Sequence, residues 1–217
     1  MTVAERLEHT LLKPEAQVGD IMRLCAEALQ YNLAAVCVNP CYAGLARHLL
    51  NGSNVRVVTV VGFPLGADKT AVKALAARMA VEEDHVDEVD MVMNLAAFKS
   101  GNYDGVVEDI AAVVQAAAPY PVKVIIETCL LTDEEKRMAC ALVARGGAAY
   151  VKTSTGFNSG GATESDVRLL AEEAAKYGLK VKAAGGIRNL ADAQTMLSAG
   201  ADRIGTSAGA AIAAAEA

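Results

Sequence analysis

The sequence predicts a closed (β/α)8 TIM barrel, a single α/β domain with a parallel eight-stranded barrel spanning residues 1–217. Three observations lead there. Short Val- and Ile-rich runs recur along the whole chain, each followed by polar or Gly-rich residues, as strands of a parallel sheet do when both faces are covered. The stretches between them carry helical spacing. Strand-then-loop units continue to the C-terminus with no GxGxxG fingerprint, which favours the barrel over its rival, an open doubly wound sheet. At 217 residues the barrel is compact, near the lower limit of about 200.

Taken in order, LEHTLL (7–12) is the candidate first strand. Ile21, Leu24, Cys25 and Ala28 follow at i, i+3, i+4, i+7 and mark the buried face of a helix. LAAVCV (33–38) and VRVVTVVGF (55–63) are the next strands, with Asn39-Pro40 and Phe63-Pro64 placed to end them. Val72, Leu75, Ala76 and Met79 repeat the helical spacing and are expected to face the core. EVDMVMN (88–94) and VKVIIET (122–128) are strands, and Thr132 to Glu135 is a capping box opening a helix. AAYVKTS (148–154), LKVKAAGG (179–186) and DRIGTSAG (202–209) complete the set. Gly146-Gly147, Gly178 and Gly200 sit where helices stop and strands begin. The Ala-rich end, AGAAIAAAEA, reads as a short last helix.

Composition excludes several function classes. Hydrophobic residues make up 53% and aromatics only 4%, so the apolar content is aliphatic, suited to helices packed on a buried sheet. A net charge of -6 argues against a nucleic-acid partner. No run reaches the length of a membrane span, and MTVAERLEH lacks an apolar signal core. The five cysteines form no CxxC, which points to a reduced, cytoplasmic protein. Cys37, near a strand end, reads as a buried thiol. His9, His48 and His85 are scattered and make no zinc pattern, while a magnesium site built on carboxylates stays open. No pattern marks an interface; a homodimer or higher homo-oligomer is the generic expectation.

Charged residues inside apolar strands point to chemistry. Catalytic groups of a barrel sit at the C-terminal strand ends, and residues two apart share a face. Asp90 shares a face with Glu88 and Val92, Lys152 with Tyr150, and Lys182 with Ala184. Asp90, Lys152 and Lys182 therefore converge in one mouth, and Glu127 is expected to join them. One such residue alone is best read as a solvated strand end, and Asp90 could simply neutralise one lysine. Three together favour a paired-amine site. A second cation in a dry place lowers a lysine's pKa, and the neutral amine then attacks a carbonyl to form a Schiff base. A nearby aspartate carries protons. The strand pattern does not choose which lysine is the nucleophile.

An anion site is also legible. Gly185 and Gly186 follow one strand, and Gly205 and Ser207 follow the next and open a helix. Backbone N–H groups there suit a phosphate, in the usual barrel position after strands seven and eight. Gly156, after Lys152, adds another. Glycine turns are also ordinary connectors.

The segments EHTLLKP (8–14), AVCVNP (35–40), VVGFPLG (60–66), DEVDMVMN (87–94), VKVIIET (122–128), YVKTSTGF (150–157), VKAAGGIR (181–188) and RIGTSAG (203–209) together resemble the deoxyribose-phosphate aldolase family over essentially the whole chain. The resemblance implies a class I aldolase of the (β/α)8 fold, working without metal or cofactor. Its small-molecule reaction joins acetaldehyde and D-glyceraldehyde 3-phosphate reversibly to 2-deoxy-D-ribose 5-phosphate. It implies that Lys152 forms the Schiff base, that Lys182 perturbs it and helps move protons, and that Asp90 is the proton donor or acceptor. Phosphate would lie against Gly156, Gly185, Gly186, Gly205 and Ser207, with Thr155 and Thr10 near the sugar hydroxyls. Two departures stand out. In DHVDE (84–88), His85 removes an expected helix-stopping Gly and puts a turn geometry in doubt. Phe157 stands where some members carry Lys, removing one phosphate cation. Another lysine-dependent aldolase and a non-catalytic phosphosugar-binding barrel remain the rival readings.

Overall fold

The structure, a computed structural model, describes residues 2–216. Eight parallel strands close into a barrel in chain order: β1 (Leu7–Leu11), β2 (Ala35–Val38), β3 (Arg56–Val61), β4 (Glu88–Val92), β5 (Val122–Ile125), β6 (Tyr150–Lys152), β7 (Lys180–Ala184) and β8 (Arg203–Thr206). All eight lie within the runs read as strands. LEHTLL supplies β1, which pairs with β2 through Glu8↔Ala35 and closes the barrel on β8 through Leu7↔Ile204. Around the strands run α1 (Val18–Gln30), α2 (Ala43–Leu49), α3 (Thr70–Glu82), α4 (Leu95–Lys99), α5 (Tyr103–Ala117), α6 (Asp133–Arg145), α7 (Glu164–Ala175), α8 (Leu190–Ser198) and α9 (Gly209–Glu216). The helix read at the Ala-rich end is α9; Ala217 lies outside the described residues. No described helix is long and apolar enough to cross a membrane.

Local chemistry sets these boundaries. Ile21, Leu24, Cys25 and Ala28 are the buried face of α1, as their spacing requires. Thr132 and Glu135 form the reciprocal cap that starts α6. Outward strand residues such as Val36, Val89, Val124 and Ile204 pack under the helices in the main core. A smaller apolar cluster, Leu12, Ala35, Cys37, Val58 and Val60 with Phe63 against it, lines part of the barrel's inside.

Two expectations change. The helix at 70–82 exists, but its orientation is reversed: Val72, Leu75 and Met79 are 52%, 46% and 43% exposed, and Ala76 is partly buried. The buried residues are Lys73, Ala77 and Ala80. Lys73 Nζ donates to Asp109 Oδ2 of α5 at 2.6 Å and to the Val92 carbonyl at the end of β4 at 3.0 Å. That buried ion pair, with alanines that let α3 approach α5 closely, outweighs the larger apolar side chains. The turn before β4 is kept without its glycine, because His85 itself takes the left-handed conformation at φ 53°, at a cost of about 1–2 kcal/mol.

Candidate active site

Alternation along the strands sends every second side chain into the barrel. Asp90 is the middle residue of β4, Lys152 ends β6, and Lys182 is the middle residue of β7. There the three meet. Lys152 Nζ and Lys182 Nζ each donate to Asp90 Oδ2 at 2.6 Å. Lys152 is 3% exposed and the other two are fully buried.

Two residues that the sequence reading did not single out complete the cluster. Lys123 of β5 donates to Asp90 Oδ1 at 3.1 Å and pairs with Glu88. Glu8 of β1 accepts from Lys182, with its other oxygen 3.7 Å from Lys123. The signal was present in both cases, a charge at the inward position of a strand, though only in β5 is the rest of the strand apolar. Glu8, Glu88 and Asp90 thus face Lys123, Lys152 and Lys182. The formal charges balance, which is the condition for burying them together.

The environment separates the three amines. Burial opposes charge on all of them. For Lys182, Asp90 and Glu8 overcome that opposition and hold the ammonium well above the ordinary lysine range. Lys123 is raised likewise, by Asp90, Glu8 and Glu88. Lys152 alone is lowered: burial leads, the charge of Lys182 adds to it, and Asp90 works against both. Burial also favours neutral Asp90, but Lys123, Lys152 and Lys182 outweigh it and keep the carboxyl well below the usual range. The arrangement therefore holds one amine that gives up its proton most readily, next to a fixed ammonium and a carboxylate that touches both. Cys37 faces the same space; burial, with help from Asp90, pushes its thiol up to about 11, so it stays neutral.

A cavity of about 390 Å³ opens at the C-terminal ends of the strands, with Lys152 in its wall. The cavity lining includes all seven residues expected to bind substrate: Thr10, Thr155, Gly156, Gly185, Gly186, Gly205 and Ser207. Gly156 and Gly185 take φ of 82° and 91°, conformations that glycine adopts without strain. Gly205 has a different requirement. A Cβ there would fall 3.1 Å from Lys182 Cε and 3.0 Å from Ala184 Cβ, so its bare Cα leaves Lys182 room inside the barrel.

Glu127 does not join the charged cluster, contrary to expectation. It lies past the end of β5 at φ 55°, where strand alternation has stopped. Its carboxylate instead accepts from the Thr155 hydroxyl at 2.5 Å and the Thr155 amide at 3.2 Å, fixing the loop after β6. Thr10 donates its hydroxyl to the Glu8 carbonyl at 3.0 Å. Phe157 lines the cavity and meets Phe63 edge-on, with ring centroids 5.2 Å apart and planes at 88°. Lys13 and Arg188 are the cations at the mouth, and neither was singled out from sequence.

The chain can now be set beside known proteins. The model of the DeoC/LacD family aldolases matches residues 5–215. The deoxyribose-phosphate aldolase of Carboxydothermus hydrogenoformans is 53% identical over 214 residues, covering 97% of this chain and 93% of the relative. That of Lysinibacillus sphaericus is 55% identical over 210 residues, with 96% and 93% covered. A solved aldolase superposes with a TM-score of 0.94 at 42% identity, over 98% of this chain and 95% of that one. The deoxyribose phosphate aldolase of Aeropyrum pernix, described as a tetramer, superposes at 0.89 with 34% identity, over 98% and 90%.

Proposed function

Because the chain belongs to the DeoC/LacD aldolase family, we propose that it cleaves 2-deoxy-D-ribose 5-phosphate reversibly to D-glyceraldehyde 3-phosphate and acetaldehyde through a Schiff base on Lys152. Neutral Lys152 attacks the aldehyde carbon of the open-chain sugar, and loss of water leaves a protonated imine. A water ordered by Asp90 and Lys182 takes the proton of the carbon 3 hydroxyl. The bond between carbons 2 and 3 breaks, and its electrons flow into the iminium to give an enamine. Glyceraldehyde 3-phosphate leaves. Proton return to carbon 2 and hydrolysis release acetaldehyde and restore the amine. The iminium is the electron sink, so the scheme needs no metal.

One observation carries this reading: of three amines in one buried cluster, Lys152 alone lines the cavity, and burial with the charge of Lys182 lowers its pKa. Lys182, held charged, and Asp90, touching both amines, support the proton-transfer roles. Gly156, Gly185, Gly186, Gly205 and Ser207 offer the phosphate their backbone at one side of the cavity, with Arg188 and Lys13 supplying positive charge. Thr10 and Thr155 face the sugar. Every group in the scheme comes from one barrel, which supports a single aldolase domain over 1–217. Free thiols at all five cysteines support a reducing, cytoplasmic setting. The outward apolar residues of α3 and the tetramer of the Aeropyrum relative support a homo-oligomer.

The direct test is a panel of phosphorylated sugars assayed for aldehyde release. Cleavage of 2-deoxy-D-ribose 5-phosphate, lost in Lys152→Ala, is expected. Preference for a ketose phosphate would assign a different aldolase, and binding without cleavage of any sugar would leave only a binding barrel.

A further inference from the structure

A second cavity, of about 410 Å³, lies at the opposite mouth of the barrel, where the strands begin. Four cations line it: Arg6, Arg56, Lys180 and Arg203. Their placement follows from the chain. Arg56, Lys180 and Arg203 are the first residues of β3, β7 and β8, and Arg6 immediately precedes β1. Each has the inward parity of its strand, two residues before Val58, Lys182, Gly205 and Glu8. Four strands therefore deliver a positive side chain to one place, in a chain whose net charge is -6.

Neutralising the barrel interior does not account for them. Glu8, Glu88 and Asp90 are already matched by Lys123, Lys152 and Lys182, and only Arg56 reaches into that set, 3.2 Å from Glu88. The two acids of the cavity wall are engaged by backbone amides: Asp202 accepts from the Val181 N–H at 2.8 Å, and Glu5 from the Thr2 N–H at 3.0 Å. Among the described residues, no carboxylate lies within 4.0 Å of the side-chain nitrogens of Arg6, Lys180 or Arg203. Arg203 Nη1 is buried there without a hydrogen-bond partner among the described residues, a costly state for a guanidinium N–H. Lys180, an exposed residue, carries its ammonium over the Tyr150 ring at the cavity wall, 5.6 Å from the centroid.

We propose that this cavity is a second anion site, which binds a phosphate-bearing ligand on Arg6, Arg56, Lys180 and Arg203. Guanidinium forks match tetrahedral oxyanions in geometry and charge, and the volume admits a small phosphate ester as well as inorganic phosphate. The site is separate from the aldolase cavity and does not depend on the chemistry assigned to Lys152.

Calorimetric titration of the full chain with inorganic phosphate tests it, with glycerol 3-phosphate titrated in a second arm. Two phosphates per chain are expected. Lys180→Gln, an exposed position whose melting temperature monitors folding, and Arg203→Gln each weaken one of the two by about tenfold. The other phosphate, and kcat measured without added phosphate, stay unchanged. Equal affinity for the two probes assigns the site to the phosphate group itself, and tighter binding of the ester assigns it to an organic phosphate. Whether one or two phosphates bind per chain, the proposal is overturned if every one of them is indifferent to both substitutions in folded protein.

Discussion

Replacing Lys182 by Met keeps most of the side chain's volume and removes a fixed charge from beside Lys152. Both nitrogens lie 2.6 Å from Asp90 Oδ2, so they are at most twice that distance apart. At an effective dielectric of about 20, two unit charges so placed repel by about 3 kcal/mol, or about two pKa units. Losing Lys182 also frees Asp90 to hold the Lys152 proton more firmly, which acts in the same direction. In the proposed scheme the nucleophile is the neutral amine, so activity is expected to rise as pH climbs through the Lys152 pKa. Raising that pKa moves the acid limb of the kcat/KM profile about two units to higher pH, and at neutral pH the rate falls about a hundredfold. Glu8 would lose its partner in this variant, so Lys182→Met/Glu8→Gln is the control that removes donor and acceptor together. The assay is deoxyribose 5-phosphate cleavage followed across the neutral and alkaline range. An acid limb left in place, with activity retained, would refute the role assigned to Lys182.

Other perturbations have equally definite outcomes. Lys152→Met abolishes turnover yet raises stability by about 1 kcal/mol at neutral pH. The folded pKa of Lys152 is lowered, so folding carries a penalty below its unfolded value that fades as pH rises through it; thermal melts at neutral and alkaline pH measure this. Gly205→Ala sets a methyl against Lys182 Cε and lowers kcat about tenfold with little change in KM, read from steady-state kinetics. His85→Gly relieves a left-handed residue but loosens the unfolded chain, for a net gain of about 0.5–1 kcal/mol in urea unfolding. Phe157→Lys adds a cation at the mouth and lowers KM for deoxyribose 5-phosphate about threefold, while KM for unphosphorylated deoxyribose does not fall.

The strands were legible because parallel strands buried on both faces are predominantly aliphatic. β1 is the faintest of them in the sequence because its inward residues are polar. LEHTL carries Glu8 and Thr10 at inward positions, one in the charged cluster and one in the cavity wall, so its hydrophobic pattern is broken there. The convergence of Asp90, Lys152 and Lys182 followed from parity alone, and the same test applied to VKVI and LEHTL would have added Lys123 and Glu8. The orientation of α3 was not legible. Its buried lysine is satisfied by Asp109, 36 residues further on, and nothing within the helix announces that partner. Glu127 was misplaced because parity holds only while the strand lasts, and the chain turns left-handed there. Which lysine is lowered depends on how many carboxylates each one meets, a three-dimensional count that the local sequence does not contain.

The central claim is that the amine of Lys152 is the one free to react. Reduction with borohydride in the presence of acetaldehyde, followed by intact-mass analysis and peptide mapping, addresses it without any mutation. One ethyl group per chain, on the peptide carrying Lys152, is the expected result. An adduct on Lys182 or Lys123 instead, or no adduct from active protein, would contradict it.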